Sequence, residues 1–139
     1  MSKRFVFGVL LIAALALAAC GGGGGASGPD PARGEALFKQ ATIGSASAPG
    51  CITCHSLNAG EVLVGPSQVG VATRAQNLLD TGKYSGAATT VEEYLRESIV
   101  DPDAYIEEGF QAGVMYANFG KELSEQEIAD LVAYLATLK

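Results

Sequence analysis

Apolar residues along this chain fall into one unbroken block near the start and several short periodic runs further on, and the two patterns imply different fates. The block extends from Phe5 to Ala19, follows Lys3 and Arg4, and stops at Cys20. As a helix rising 1.5 Å per residue it would reach roughly 22 Å, short of the hydrocarbon core of a bilayer at about 30 Å. A basic start, a short apolar stretch and small residues at its end describe an export signal rather than a membrane span. Residues 1–19 are expected to be removed.

Helical spacing begins after Asp30. Asp30 as N-cap and Pro31 as first helical residue open a helix in which Leu37, Phe38 and Ala41 supply an apolar side. Gly34 costs on the order of 1 kcal/mol against alanine in such a helix, and a close helix contact there would account for it. Thr90 and Glu93 have capping-box spacing, Val91, Leu95 and Ile99 then share one face, and Asp101-Pro102 ends the run. Ser124 and Glu127 repeat the capping box ahead of Ile128, Leu131, Val132, Leu135 and Leu138, and Lys139 suits the negative end of that last helix.

Between these runs, stretches such as Thr42 to Gly50 and Thr81 to Thr90 show neither the helical nor the strand period. The 109 residues from Pro31 to Lys139 make one domain. Three modest helices and long loops are thin material for a core at that size, and a large buried apolar cofactor would complete it.

Composition adds a tether. Gly21 to Gly25 and Ala26-Ser27-Gly28-Pro29 form a low-complexity segment unable to bury apolar surface. About ten such residues span roughly 17 Å on average and about 35 Å at full stretch, so residues 20–30 would hold the domain close to whatever anchors Cys20. Leu17-Ala18-Ala19 ahead of Cys20 resembles the bacterial lipobox, where the signal is cut before a cysteine that becomes the acylated first residue. An ordinary cleavage site is the alternative. The expected location is exported and lipid-anchored, on the outer, periplasmic or extracytoplasmic, side of the cell membrane.

Charge narrows the partners. Losing residues 1–19 removes Lys3 and Arg4, leaving seven basic against fifteen acidic side chains, formally −8. Nucleic acid would be repelled by that balance, and a partner with a basic docking surface would be favoured, although plain solubility accounts for it equally well.

The chemistry concentrates at Cys51-Ile52-Thr53-Cys54-His55, which matches the C-x-x-C-H haem attachment signature. Cysteines three apart on one helical turn face the same side, so their sulfurs can reach two vinyl groups on one porphyrin edge while the next imidazole swings beneath the iron. Of three cysteines, acylated Cys20 and the pair Cys51 and Cys54 leave none unassigned. A thioredoxin-like redox pair and half a zinc site also use C-x-x-C. Zinc lacks ligands, because His55 is the one histidine and there is no second cysteine pair, and a redox pair leaves His55 unexplained. Met115 is the one methionine remaining after the signal, and its thioether is a typical axial partner to histidine on haem iron.

Taken together, these landmarks resemble a class I cytochrome c across Pro31 to Lys139: Gly34 and Phe38, Cys51 to His55, Gly65-Pro66, Met115, and Leu131 with Tyr134. The resemblance implies an all-α small cytochrome c fold, with three to five helices and long loops wrapped around one haem c. It implies covalent thioethers from Cys51 and Cys54 and axial ligation by His55 and Met115. It also implies that Gly34 crosses Tyr134 and that the Pro66 carbonyl receives a hydrogen bond from the His55 ring nitrogen not on iron, a bond that fixes ring orientation and basicity. Tyr116 follows Met115 where the family often has proline, while Asn118-Phe119-Gly120 keeps the family's approach to the last helix.

The function so implied is electron transport without a small-molecule substrate. A membrane-tethered one-haem carrier would pass single electrons between integral-membrane donor and acceptor complexes, or soluble redox proteins, of a respiratory or photosynthetic chain. The alternative is a fixed cytochrome c subunit of a quinol-oxidising complex of the alternative complex III type, or of a terminal oxidase. A haem enzyme or gas sensor would need an open iron position and a nearby proton-transfer residue, and no second histidine exists to provide one.

Overall fold

The computed structural model describes residues 28–139, so the expected leader, Cys20 and all but the end of the expected tether lie outside the described residues. Within them the chain forms α1 (Pro31–Phe38), a small antiparallel ribbon of β1 (Thr42–Ile43) and β2 (Ala48–Pro49), and a turn of 3₁₀ helix at Cys51–Thr53. There follow α2 (Val71–Asp80), α3 (Val91–Val100), α4 (Phe119–Glu122) and α5 (Glu125–Leu135). The class is all-α, as expected, with long loops between helices. No helix among the described residues is long and apolar enough to cross a membrane.

Caps start three of the helices where the sequence put them. The Asp30 side chain accepts from the Ala32 amide at 2.8 Å, and both Thr90 with Glu93 and Ser124 with Glu127 close reciprocal capping boxes. α1 packs across α5 at Gly34, where a β-carbon would overlap the Asp130 carbonyl oxygen and stand 2.8 Å from the Tyr134 Cβ. Only a glycine lets the two backbones meet so closely. One turn on, the Phe38 and Tyr134 rings pack with centroids 5.6 Å apart. A polar lock sits beside the crossing: Asp130 is buried, yet its carboxylate accepts from Arg33 Nε at 2.7 Å, the Asp30 amide at 2.8 Å and Gln126 Nε2 at 2.9 Å. Arg33 and these bonds hold the Asp130 carboxyl at about 2, below its ordinary 3.8.

Several expectations need correction. α2 was not anticipated. It starts from Gly70 in a left-handed conformation (φ 70°) with no capping side chain, and it buries the small residues Val71, Ala72 and Ala75. The stretch Thr42 to Gly50 holds the β1–β2 ribbon, with Thr42 opposite Pro49 and Ile43 opposite Ala48, and buries Ile43. Ala41 is exposed outside α1, so Gly34 and Phe38 form the buried side instead. α5 stops at Leu135 with no basic residue in its last turn. Leu138 and Lys139 lie beyond it, and the Leu138 carbonyl accepts from the Ala72 amide at 3.1 Å, tying the C-terminus to α2.

Candidate functional site

The 3₁₀ turn at Cys51–Thr53 closes through Cys54 N–H to the Cys51 carbonyl at 3.1 Å and His55 N–H to the same oxygen at 2.9 Å. That turn brings Cys51, Cys54 and His55 to one wall of a cavity of about 730 Å³, within the range of sites built for a cofactor-sized ligand. The next strand of chain is stitched alongside: the Gly65 amide donates to the Cys54 carbonyl and the Gln68 amide to the Ser56 carbonyl, both at 2.9 Å. Gly65 thereby lies flat against the imidazole, since a β-carbon there would come within 2.5 Å of His55 Cε1. Pro66 follows, and its carbonyl oxygen stands 2.9 Å from His55 Nδ1.

That contact sets the ring's chemistry. Burial pushes the His55 pKa down, opposed by the Pro66 carbonyl and by Glu107, so the ring is neutral at ordinary pH. A proton on Nδ1 directed at Pro66 leaves the Nε2 lone pair for a metal. Burial likewise pushes the Cys51 thiol up to about 11, the opposite of the lowered thiol of a thioredoxin-like centre. Among the described residues no group of three or more His, Cys, Asp or Glu side chains could hold a bare metal ion.

The rest of the cavity comes from all over the chain. Phe38 of α1, Leu95 and Ile99 of α3, and Leu131 and Leu135 of α5 line it and are buried. Met115 lines the same cavity from the loop between α3 and α4, half-buried. All five residues predicted for the site within the described region, Cys51, Cys54, His55, Pro66 and Met115, thus meet at one apolar chamber, while Cys20 lies outside the described residues. Mostly apolar and lined with one neutral imidazole, one thioether and two thiols, the chamber suits haem.

Sequence reasoning missed three contributors. Gln68 is buried, with its side-chain amide 2.9 Å from His55 Nδ1. Arg74 pairs with Glu107 at 3.4 Å and donates to the Ser67 and Val69 carbonyls at 2.5 Å, bracing the Pro66 loop from the cavity's rim. Tyr94 lines the chamber and packs edge-on to Tyr84 with centroids 5.3 Å apart. No local pattern marks Gln68 or Arg74. Tyr94 stands next to Leu95 in α3, where a wider apolar stripe would have included it.

A helical shell closed by an α1–α5 crossing around a chamber with C-x-x-C-H on its wall defines a class of haem electron carrier, and the chain belongs to the cytochrome c family, whose model, described as Cytochrome c, matches residues 31–139. It shares 32% identity over 139 positions with cytochrome c2 of Blastochloris viridis, covering 96% of this chain and 91% of that one. Cytochrome c2 of Rhodopseudomonas palustris is 33% identical over 126 positions, 79% of this chain and 99% of the relative. Cytochrome c2 iso-1 of Magnetospirillum fulvum is 33% identical over 94 positions, 64% of this chain and 91% of the relative. Membership brings one covalently attached haem c and the role of a one-haem electron carrier.

Proposed function

We propose that this protein is a lipid-anchored cytochrome c that carries single electrons between membrane redox complexes on the outer side of the cell membrane. The observation that carries the proposal is the convergence of Cys51, Cys54, His55 and Met115 on one apolar chamber. Cys51 and Cys54 would hold the haem by thioethers, His55 and Met115 would be its axial ligands, and haem bound there supplies a one-electron ferrous/ferric couple.

What the chain itself does follows from its side chains. Pro66 and Gly65 hold the imidazole in one orientation with its proton on Nδ1, so the ligand need not move when the charge at the metal changes. Phe38, Leu95, Ile99 and Leu131 exclude water behind it, which keeps solvent reorganisation small and favours the less charged, reduced state. Held by both His55 and Met115, the haem would have no open position for a substrate.

Val64 and Val114, 57% and 54% exposed, belong to the chamber's lining, and Asp103 accepts from the Gly113 amide next to Val114. An exposed apolar edge supports a short-lived contact, below about 1,200 Å², with a redox partner. Tethering through acylated Cys20 by a segment reaching roughly 17 Å on average would raise the effective concentration toward integral-membrane donors and acceptors.

The test is expression in an exporting host that matures c-type cytochromes. Haem that survives denaturing electrophoresis, the weak far-red sulfur-to-iron band of the ferric protein, and membrane retention abolished by Cys20→Ala are expected. Colourless protein with both thiols open to alkylation overturns the assignment. Extraction from the native membrane in mild detergent then separates a shuttle, released alone, from a fixed subunit of a quinol-oxidising complex or terminal oxidase, which would travel with its neighbours.

A further inference from the structure

We infer that Gln68 is a second hydrogen-bond partner of the His55 ring and sets the basicity of that ligand, and hence the reduction potential, jointly with Pro66. The inference rests on His55 being the iron ligand.

Gln68 is not a casual neighbour. It is 8% exposed, and among the described residues the other buried polar ones are Ser56 and Asp130. Its backbone is pinned on both sides, the amide donating to the Ser56 carbonyl at 2.9 Å and the carbonyl accepting from Val71 at 3.1 Å. The side-chain Nε2 stands 2.9 Å from His55 Nδ1 and in this orientation donates a long bond of 3.4 Å to the Pro66 oxygen, which a turn of the amide exchanges for an acceptor facing the ring. The ring nitrogen therefore has two polar neighbours, both at 2.9 Å.

The protonation pattern decides which end of the amide faces the ring. With Nε2 on iron, Nδ1 carries the proton, and two N–H groups cannot face each other at 2.9 Å. A half-turn of the amide, whose oxygen and nitrogen are interchangeable in shape, puts Oε1 there instead. The Nδ1–H is then shared between the Pro66 carbonyl and Gln68 Oε1. Two acceptors draw the proton further from the ring than one, which makes the imidazole a stronger donor to iron, stabilises the ferric state and lowers the potential. By this account Gln68 acts through the His55 ring and is a positioning residue.

The experiment uses the haem-loaded, full-length protein. Gln68→Leu, which removes the acceptor at similar volume, is expected to raise the midpoint potential, and Gln68→Glu, which puts a carboxylate there, to lower it. In the ferrous protein the His55 ring N–H is expected to exchange with solvent about fivefold faster in Gln68→Leu, the effect of one lost hydrogen bond. Gln68→Asn, one methylene short, serves as the second probe should the leucine variant fail to fold, and it is expected to move both quantities in the leucine direction. Shifts of the same sign for leucine and glutamate, or an unmoved potential with the far-red ferric band intact, overturn the role of Gln68 alone. Loss of the His55 signature from the unaltered protein overturns the ligand assignment and this inference with it.

Discussion

The α1–α5 crossing and the chamber wall contrast in how they are held. At the crossing, backbones meet at Gly34, two aromatic rings pack one turn away, and a buried carboxylate is satisfied by three neighbours. At the wall, loop segments 54–68 and 101–117 are joined to the body by isolated hydrogen bonds and face about 730 Å³ that their own side chains do not fill. The crossing is finished by the polypeptide. The wall is finished by its cofactor.

Removing the cofactor should therefore have the largest effect. A chamber of about 730 Å³ is far larger than neighbouring side chains can close by small shifts, so without the cofactor its apolar lining loses most of its packing partners. Even with extensive collapse of the walls, Cys51→Ser with Cys54→Ser is expected to abolish cooperative thermal unfolding. A sharp transition near that of the loaded protein, followed by far-ultraviolet circular dichroism, would show that the helices need no cofactor.

Two glycines sharpen the contrast. Gly34→Val drives a side chain into the Asp130 backbone and Tyr134, and overpacking of that kind should cost about 3 kcal/mol in denaturant titrations. The potential should barely move in the fraction that folds. Gly65→Ala places one methyl 2.5 Å from His55 Cε1, so the loop must shift or the ring must tilt. Its stability loss is expected to be smaller, about 1 kcal/mol, with a clear change in potential and in the far-red band. Equal effects on both quantities from both variants would dissolve the distinction between frame and wall.

How much of this was legible follows the same division. α1, α3 and α5 announced themselves through Asp30, Thr90 and Ser124, because a cap is a local device whose partners lie two or three residues away. α2 has no such device at Gly70, and its apolar spacing, Val71, Ala72, Ala75, Leu78 and Leu79, rests partly on alanines that carry little hydrophobic signal. The motif at Cys51 to His55 is contiguous and Met115 is the one methionine after the signal, so their chemistry could be read directly, while Gly65-Pro66 followed from the family resemblance. Gln68 and the Arg74–Glu107 pair exist as features only after the chain has folded them beside the ring and the rim. Long-range placement of ordinary polar residues leaves no trace in spacing.

Asp130 gives an effect between those of the two glycines. Its carboxylate is buried and multiply bonded, so Asp130→Asn, which loses the charge and part of the acceptor capacity, should cost about 2 kcal/mol at neutral pH. The folded carboxyl ionises near 2 against an ordinary 3.8. Its contribution is thus complete above the higher value and fades as pH falls toward and through the lower one. Stability of the unaltered protein should decline over that window, and the asparagine variant should decline less. Parallel acid-unfolding curves would assign the acid sensitivity to other carboxylates.

The smallest effect belongs to a pair of the same length. Arg96 meets Glu125 at 2.7 Å, matching Arg33 with Asp130 at 2.7 Å, but the Glu125 side chain is 79% exposed where that of Asp130 is 5% exposed. Water screens the first pair on nearly every side, and holding two long side chains together costs entropy, so Arg96→Ala is expected to change stability by no more than about 0.5 kcal/mol, less still in added salt. Arg33→Ala should cost several times as much, because it strips a donor from a carboxylate that has few water molecules to turn to. Urea titrations of the two variants side by side measure the ratio. Similar losses from both would mean that separation, and not burial, governs these pairs, against the account of the α1–α5 crossing given above.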